Sequence, residues 1–118
     1  MRTVEKPWGH ELIWAETSRY VGKILHIKKG EQLSLQYHNV KDETIMVLSG
    51  LLRFEHAEGD APLSAVELAP YQPFHITPGL RHRMVAVTDT DVVEVSTPEL
   101  HDVVRLEDRY GRAGTSKP

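Results

Sequence analysis

Three polar residues whose side chains suit a metal ion lie close together in the segment from Gly30 to Gly50. Gln36 and His38 are two residues apart, and in a β-strand such residues point to the same face. Glu43 follows a polar turn at residues 39–42, and a hairpin there would return its carboxylate beside His38. An amide oxygen, an imidazole and a carboxylate suit a divalent ion of the zinc, manganese, iron or nickel kind. The segment therefore predicts a metal site.

The composition is that of one globular domain without disulfides. The chain has 118 residues, of which 40% are hydrophobic and 26% are charged, which is enough for a single core. It has no cysteine, which excludes a thiolate nucleophile and sulfur ligands. The net charge of −3 argues against nucleic-acid partners, and no long apolar run predicts a membrane span. We therefore expect a soluble, cytoplasmic protein that acts on a small molecule, without a nucleic-acid or membrane partner.

Short alternating segments separated by glycine and proline predict an all-β fold. Strands are expected at residues 10–15 (at a sheet edge), 20–28, 33–38, 44–48, 51–56, 63–68, 74–76, 82–87 and 92–96. This pattern is typical of a β-sandwich or a jelly-roll barrel, and the barrel is favoured because inward-facing ligand residues need a cavity. Only residues 98–109 have helical spacing. We expect one domain at residues 1–112 and a loose tail at residues 113–118.

Two motifs resemble those of the cupins. Gly30, Gln36-Tyr37-His38, Glu43 and Gly50 have the spacing of the first cupin motif, with Gln36 in place of its first histidine. Pro78-Gly79-Leu80-Arg81-His82 resembles the second motif through its Gly-x-x-His spacing. The resemblance implies a double-stranded β-helix, or jelly-roll barrel, with a short helical or irregular segment near the C-terminus. It also implies one divalent ion, zinc first and manganese, iron, nickel or cobalt as alternatives, held by Gln36, His38, Glu43 and His82.

The closer likeness is to the C-terminal cupin domain of type II phosphomannose isomerases. It is carried by Val4-Glu-Lys-Pro-Trp-Gly, by Leu33-Ser-Leu-Gln-Tyr-His and by Arg105-Leu-Glu-Asp-Arg-Tyr-Gly-Arg112. The likeness implies a stand-alone domain, without the nucleotidyltransferase domain that usually precedes it, and a sugar-phosphate aldose–ketose isomerase activity. Arg105 and Arg112 are then candidates for substrate binding, because a guanidinium fork suits phosphate oxygens. Since many cupins are dimers, the likeness also implies a homodimer.

The sequence departs from that group beside the implied ligands. Thr44 stands where the group has a histidine, which removes a candidate proton carrier, and Lys41 stands where it has an arginine. The base that moves the proton is left open between Lys23 and a metal-bound hydroxide. An enzyme is favoured, while an iron-dependent cupin dioxygenase and a non-catalytic sugar- or metabolite-binding cupin stay open. For Arg105, an ion pair with Asp108 or Glu107 is an equal alternative to substrate contact.

Overall fold

The computed structural model describes residues 1–115, and within them the chain forms twelve β-strands and no helix. The strands are β1 (Arg2–Lys6), β2 (Gly9–Glu16), β3 (Val21–Ile27), β4 (Leu35–Tyr37), β5 (Glu43–Ser49), β6 (Leu52–Ala57), β7 (Ser64–Leu68), β8 (Pro73–Ile76), β9 (Arg81–Ala86), β10 (Thr90–Ser96), β11 (Val104–Glu107) and β12 (Gly114–Thr115). The predicted all-β fold is confirmed. No helix long and apolar enough to cross a membrane occurs in this range.

The strands form two six-stranded antiparallel sheets whose inner faces pack together. One sheet has the order β1-β2-β3-β10-β5-β8 and the other has the order β12-β11-β4-β9-β6-β7. Neighbours in a sheet are often distant in sequence, as where β10 lies between β3 and β5. This arrangement is the jelly-roll barrel of the cupins, as predicted.

The inward-facing residues change from polar at one end of the barrel to apolar at the other. In β5 they are Glu43, then Ile45 and Val47, and all three are buried. In β9 the same change runs from His82 to Ala86. The apolar ends join one hydrophobic core that contains Phe54, whereas Glu43, at the polar end, lines a cavity. The barrel therefore has a closed apolar floor and a polar mouth.

Two motif glycines are required by the backbone. Gly50 turns the chain from β5 into β6 with a φ of +90°, and a Cβ there would lie 2.2 Å from the carbonyl oxygen of Asp89. Gly79 has a φ of +86°, and its N–H donates to the carbonyl oxygen of His38 at 2.7 Å. L-residues with side chains rarely adopt such φ values. Gly79 thereby ties the second motif to the end of β4.

The C-terminal region differs from the prediction. The helical spacing at residues 98–109 was misleading, because β11 (Val104–Glu107) pairs with β4 instead. The expected loose tail includes β12, which pairs with β11, while residues 116–118 lie outside the described range. At the other end, β2 lies between β1 and β3, so β1 is the edge strand. Cross-strand pairing overrides the local pattern in these short segments.

Candidate metal centre

Three buried side chains meet at the polar end of the barrel. His38 follows β4, Glu43 begins β5 and His82 lies in β9. His38 Nε2 is 3.5 Å from Glu43 Oε2, and His82 Nε2 is 3.9 Å from Glu43 Oε1. One possible ligand atom from each residue lies within 4.8 Å of the other two. His82 is far from the other two residues in sequence, and the closure of the barrel brings the three side chains together.

The predicted hairpin between His38 and Glu43 is wrong, although the two residues are neighbours. β4 pairs with β9 and β11, whereas β5 pairs with β10 and β8. The two strands therefore belong to opposite sheets, and residues 38–42 cross from one sheet to the other. Asp102 supports this crossing, because its carboxylate accepts the N–H groups of residues 39, 40 and 41 at 2.6–3.0 Å.

Both histidines present an unpaired Nε2 to the centre. His38 Nδ1 is 2.6 Å from the carbonyl oxygen of Asp102, and His82 Nδ1 is 2.9 Å from that of Leu80. Because a carbonyl can only accept, Nδ1 carries the proton in both rings. Each Nε2 therefore has a free lone pair, and neither atom has a hydrogen-bond partner within the described residues. Metal-binding histidines in proteins are held in this way.

The histidine pKa values favour the neutral form that binds metals. Burial and then the neighbouring His38 lower the pKa of His82 to about 3. Burial also lowers the pKa of His38, with Lys41 acting in the same direction. Both rings are consequently neutral near pH 7, and a metal ion would not have to displace their protons.

Glu43 belongs to a buried charge cluster with Lys41 and Glu94. Lys41 Nζ lies 3.0 Å from Glu43 Oε2 and 3.1 Å from Glu94 Oε2. Burial and then Glu94 raise the pKa of Glu43, against the opposing effect of Lys41. Burial would lower the pKa of Lys41 and raise that of Glu94, but their mutual attraction reverses both effects. Lys41 therefore stays charged, and it holds one Glu43 oxygen while the other faces His82.

The geometry and chemistry of this group fit a divalent ion. Ligand atoms about 2.1 Å from a tetrahedral zinc ion lie about 3.4 Å apart, and one possible ligand atom from each residue here lies within 4.8 Å of the other two, so a small closing movement would reach that spacing. His38 Nε2 and His82 Nε2 are also buried without a hydrogen-bond partner in residues 1–115, which is costly unless an ion occupies the space beside them.

Gln36, the fourth implied ligand, lines the same cavity and is the register partner of His82 across β4 and β9. Its Oε1 accepts a hydrogen bond from Ser34 Oγ at 2.6 Å. The structure thus places Gln36 next to the cluster, while its role as a ligand stays a prediction.

Thr44 stands where the isomerase group has a histidine, and this residue is not part of the cavity. It follows Glu43 in β5, where successive residues point to opposite faces, and it does not line the cavity. We infer that a histidine at position 44 would point away from the three ligand residues. The threonine therefore removes no proton carrier from this cavity.

The other predicted site residues also line the cavity. Lys23 is buried and donates to Glu11 Oε1 at 3.2 Å. Arg112 forms a two-pronged ion pair with Asp108 at 3.0 and 3.1 Å. Arg105 is 7% exposed, and its Nε and Nη1 have no hydrogen-bond partner in the described structure. Asp108 is bonded to Arg112 instead, so the ion pair between Arg105 and Asp108 that was the alternative to substrate contact does not form.

Four residues with a part in this cavity were missed by the sequence reasoning: Glu11, Lys41, Glu94 and Asp102. Glu11 and Glu94 did carry a signal, since each is a charged residue that shares the inward face of its strand with an apolar residue, Ile13 or Val92. Such a residue is rarely buried without a partner. Asp102 lies outside the strands, and nothing in its local sequence indicates that it supports residues 39–41.

Sequence comparisons agree with the structure. The sequence model of the family described as "Mannose-6-phosphate isomerase C-terminal" matches residues 1–108. The chain is 35% identical over 114 residues to mannose-1-phosphate guanylyltransferase ManC of Salmonella typhimurium, which covers 94% of this chain and 23% of that protein. It is 33% identical over 116 residues to xanthan biosynthesis protein XanB of Xanthomonas campestris pv. campestris, and this match covers 94% of this chain and 24% of that protein. The chain thus spans about a quarter of the length of these curated relatives.

Solved structures share the fold at low sequence identity. KdgF from Halomonas sp. superposes with a TM-score of 0.73 at 21% identity, covering 83% of this chain and 86% of that one. A cupin sugar phosphate isomerase from Silicibacter pomeroyi gives a TM-score of 0.68 at 21% identity, and the superposition covers 81% of this chain and 64% of that one. Together, the matched length and the barrel show that this chain belongs to the mannose-6-phosphate isomerase C-terminal family, within the cupin fold.

Proposed function

We propose that this protein is a metal-dependent aldose–ketose isomerase that acts on a sugar phosphate, with mannose 6-phosphate as the first candidate. The observation that carries the proposal is the His38–Glu43–His82 cluster, which opens into a cavity lined by lysines and arginines. The family name points to the same class of reaction, and so does the name of the sugar phosphate isomerase from Silicibacter pomeroyi that shares the fold.

His38, Glu43 and His82 would hold the ion, with Gln36 as a fourth ligand. Zinc is the first choice, and manganese, iron, nickel and cobalt are alternatives, because nitrogen and oxygen donors suit all of them. When bound, the ion would polarise the substrate carbonyl as a Lewis acid, which is worth several kcal/mol in such reactions. The carbonyl of Asp102 and the carbonyl of Leu80 keep the two rings in the orientation that this requires.

Proton transfer between the two reacting carbons is assigned to Lys23 together with Glu11. Isomerisation removes a proton from the carbon that bears the hydroxyl and delivers one to the neighbouring carbonyl carbon. The hydrogen-bonded Lys23–Glu11 pair offers both a donor and an acceptor at the cavity wall. A positioned acid–base group contributes on the order of 10² to 10⁴ in rate. Arg105 and Arg112, which line the same cavity, would contact the substrate.

The proposal is tested by measuring ketose formation from mannose 6-phosphate with metal-loaded protein. His38→Ala and His82→Ala should lose both the metal, measured by elemental analysis, and the turnover. Lys23→Met should keep the metal and lose turnover by roughly two orders of magnitude or more. Lys29→Met is the matched control, because Lys29 lies exposed in the turn before Gly30. Absence of ketose across a panel of aldose phosphates would refute the isomerase. Oxygen uptake would then indicate a dioxygenase, and binding without turnover a non-catalytic module.

A further inference from the structure

We propose that Lys6 and Arg105 form the subsite that holds the phosphate group of the substrate, with Lys6 selecting phosphorylated over neutral sugars. This inference rests on the proposed function and extends it to a residue with no role assigned by the sequence. Lys6 ends β1, Arg105 lies in β11, and both side chains line the same cavity as His38 and Glu43.

The pairing of charges around the cavity singles out these two cations. Lys23 is bonded to Glu11, and Arg112 is bonded to Asp108. Lys41 is held between Glu43 and Glu94. By contrast, Lys6 and Arg105 make no ion pair within residues 1–115. Their positive charges are therefore the ones left for a ligand to neutralise.

Arg105 is built as an anion receptor. Its side chain is almost completely buried, yet Nε and Nη1 lack any hydrogen-bond partner in the described part of the chain. Leaving two guanidinium N–H groups unsatisfied in a buried position is unfavourable, and the oxygens of a bound anion would lower that cost. Burial and then Arg112 lower the pKa of Arg105, against the opposing effects of Asp108 and Glu11. The pKa of Lys6 is also lowered, first by burial, with Lys23, Arg105 and Arg112 acting against Glu11.

The sheet register sets the distance from this subsite to the metal ligands. Arg105 pairs with Gln36 across β11 and β4, and Gln36 pairs with His82 across β4 and β9. Two strand spacings, about 10 Å, thus separate the backbones of Arg105 and His82. An anionic group at Arg105 would therefore leave room for several carbons before the reacting carbonyl reaches His82. A sugar phosphorylated at the end opposite its carbonyl has several carbons between the two groups, whereas a sugar 1-phosphate does not.

The test compares two unreactive ligands that differ only in the phosphate, glucitol 6-phosphate and glucitol. Binding to metal-loaded protein is measured by calorimetry. Wild type should bind glucitol 6-phosphate more tightly than glucitol. Lys6→Met should weaken binding of the phosphate by about 10- to 100-fold, the effect of one charged hydrogen bond, and leave glucitol unchanged. Lys6→Arg should restore most of the affinity, and Lys29→Met should behave as wild type.

Arg105→Met should lose at least as much affinity for glucitol 6-phosphate as Lys6→Met does, provided that its metal content is normal. Because Arg105 is buried and Lys6 is only partly buried, the Lys6 variants decide the matter if Arg105→Met does not fold. Equal binding of the two ligands by wild type, no binding of either, or an unchanged affinity in Lys6→Met would overturn the subsite. Phosphate-selective binding without ketose formation would instead support the subsite and refute the isomerase.

Discussion

Replacing Lys41 with methionine should destabilise the metal-free protein in a pH-dependent manner. The ammonium group lies 3.0 Å from Glu43 and 3.1 Å from Glu94, and all three side chains are buried. Methionine fills a similar volume without a charge, so two buried carboxylates would face each other with nothing between them. Removing one partner of a buried ion pair typically costs about 3–5 kcal/mol.

The pH dependence follows from the proton that the variant must bind. In the wild type, Lys41 keeps the pKa of Glu94 below its usual range despite burial. Without Lys41, burial and the second carboxylate raise the pKa of this pair, so the folded variant holds about one more proton than the wild type. A raised folded pKa gives stability that is present at low pH and lost as the pH rises. Above the ordinary glutamate pKa of 4.5, the loss of unfolding free energy in Lys41→Met relative to the wild type grows by about 1.4 kcal/mol per pH unit. At pH 7 it reaches about 3 kcal/mol.

Urea unfolding of the metal-free protein at pH 5.5 and pH 8 measures this loss. Lys41→Met combined with Glu43→Gln and Glu94→Gln is the matched control, because it leaves no carboxylate in the cluster and should abolish most of the pH dependence. Zinc should stabilise Lys41→Met more than the wild type, since the ion replaces the missing positive charge. An equal loss at both pH values, or a loss below about 1 kcal/mol, would refute the assignment of a buried charge cluster.

Three further predictions concern the rest of the site and the surface. Because the pKa of His82 falls from 6.5 to about 3 on folding, the metal-free wild type should lose stability as the pH drops through that window, and His82→Gln should show a smaller loss in urea unfolding. Asp102→Ala should cost about 1–3 kcal/mol in unfolding free energy and weaken zinc binding in calorimetry, because it frees three backbone N–H groups beside His38; unchanged zinc affinity would contradict this. The expected homodimer is assigned to the outer face of the β1-to-β8 sheet, where Trp14 packs over Gly22 and both Trp14 and Val95 are about half exposed, at 48% and 50%. Val95→Glu should then shift sedimentation towards the monomer, and a monomeric wild type would exclude the dimer.

The alternation of residues 33–38 and the apolar run after Glu43 could be interpreted from the sequence because they are local. A side chain's face in a strand depends on its neighbours two positions away, and a glycine with a positive φ belongs to its own turn. This is why the all-β fold could be predicted in advance, whereas His82 was named as a ligand only through the resemblance of its motif to that of the cupins. The short segment at residues 104–107 could not be assigned, since its apolar spacing fits a helix and only its pairing with β4 makes it a strand.

The sequence by itself determined that the strands alternate between two faces, and which residue types lie on the face that points into the barrel. Only the tertiary structure decided which of them meet. It placed His38 and Glu43 on opposite sheets, gave Lys41 two carboxylates, and left Arg105 without one. The physical reason is that charge pairing and burial depend on distances across the barrel. Those distances are set by the register of strands far apart in the chain, which no local pattern specifies.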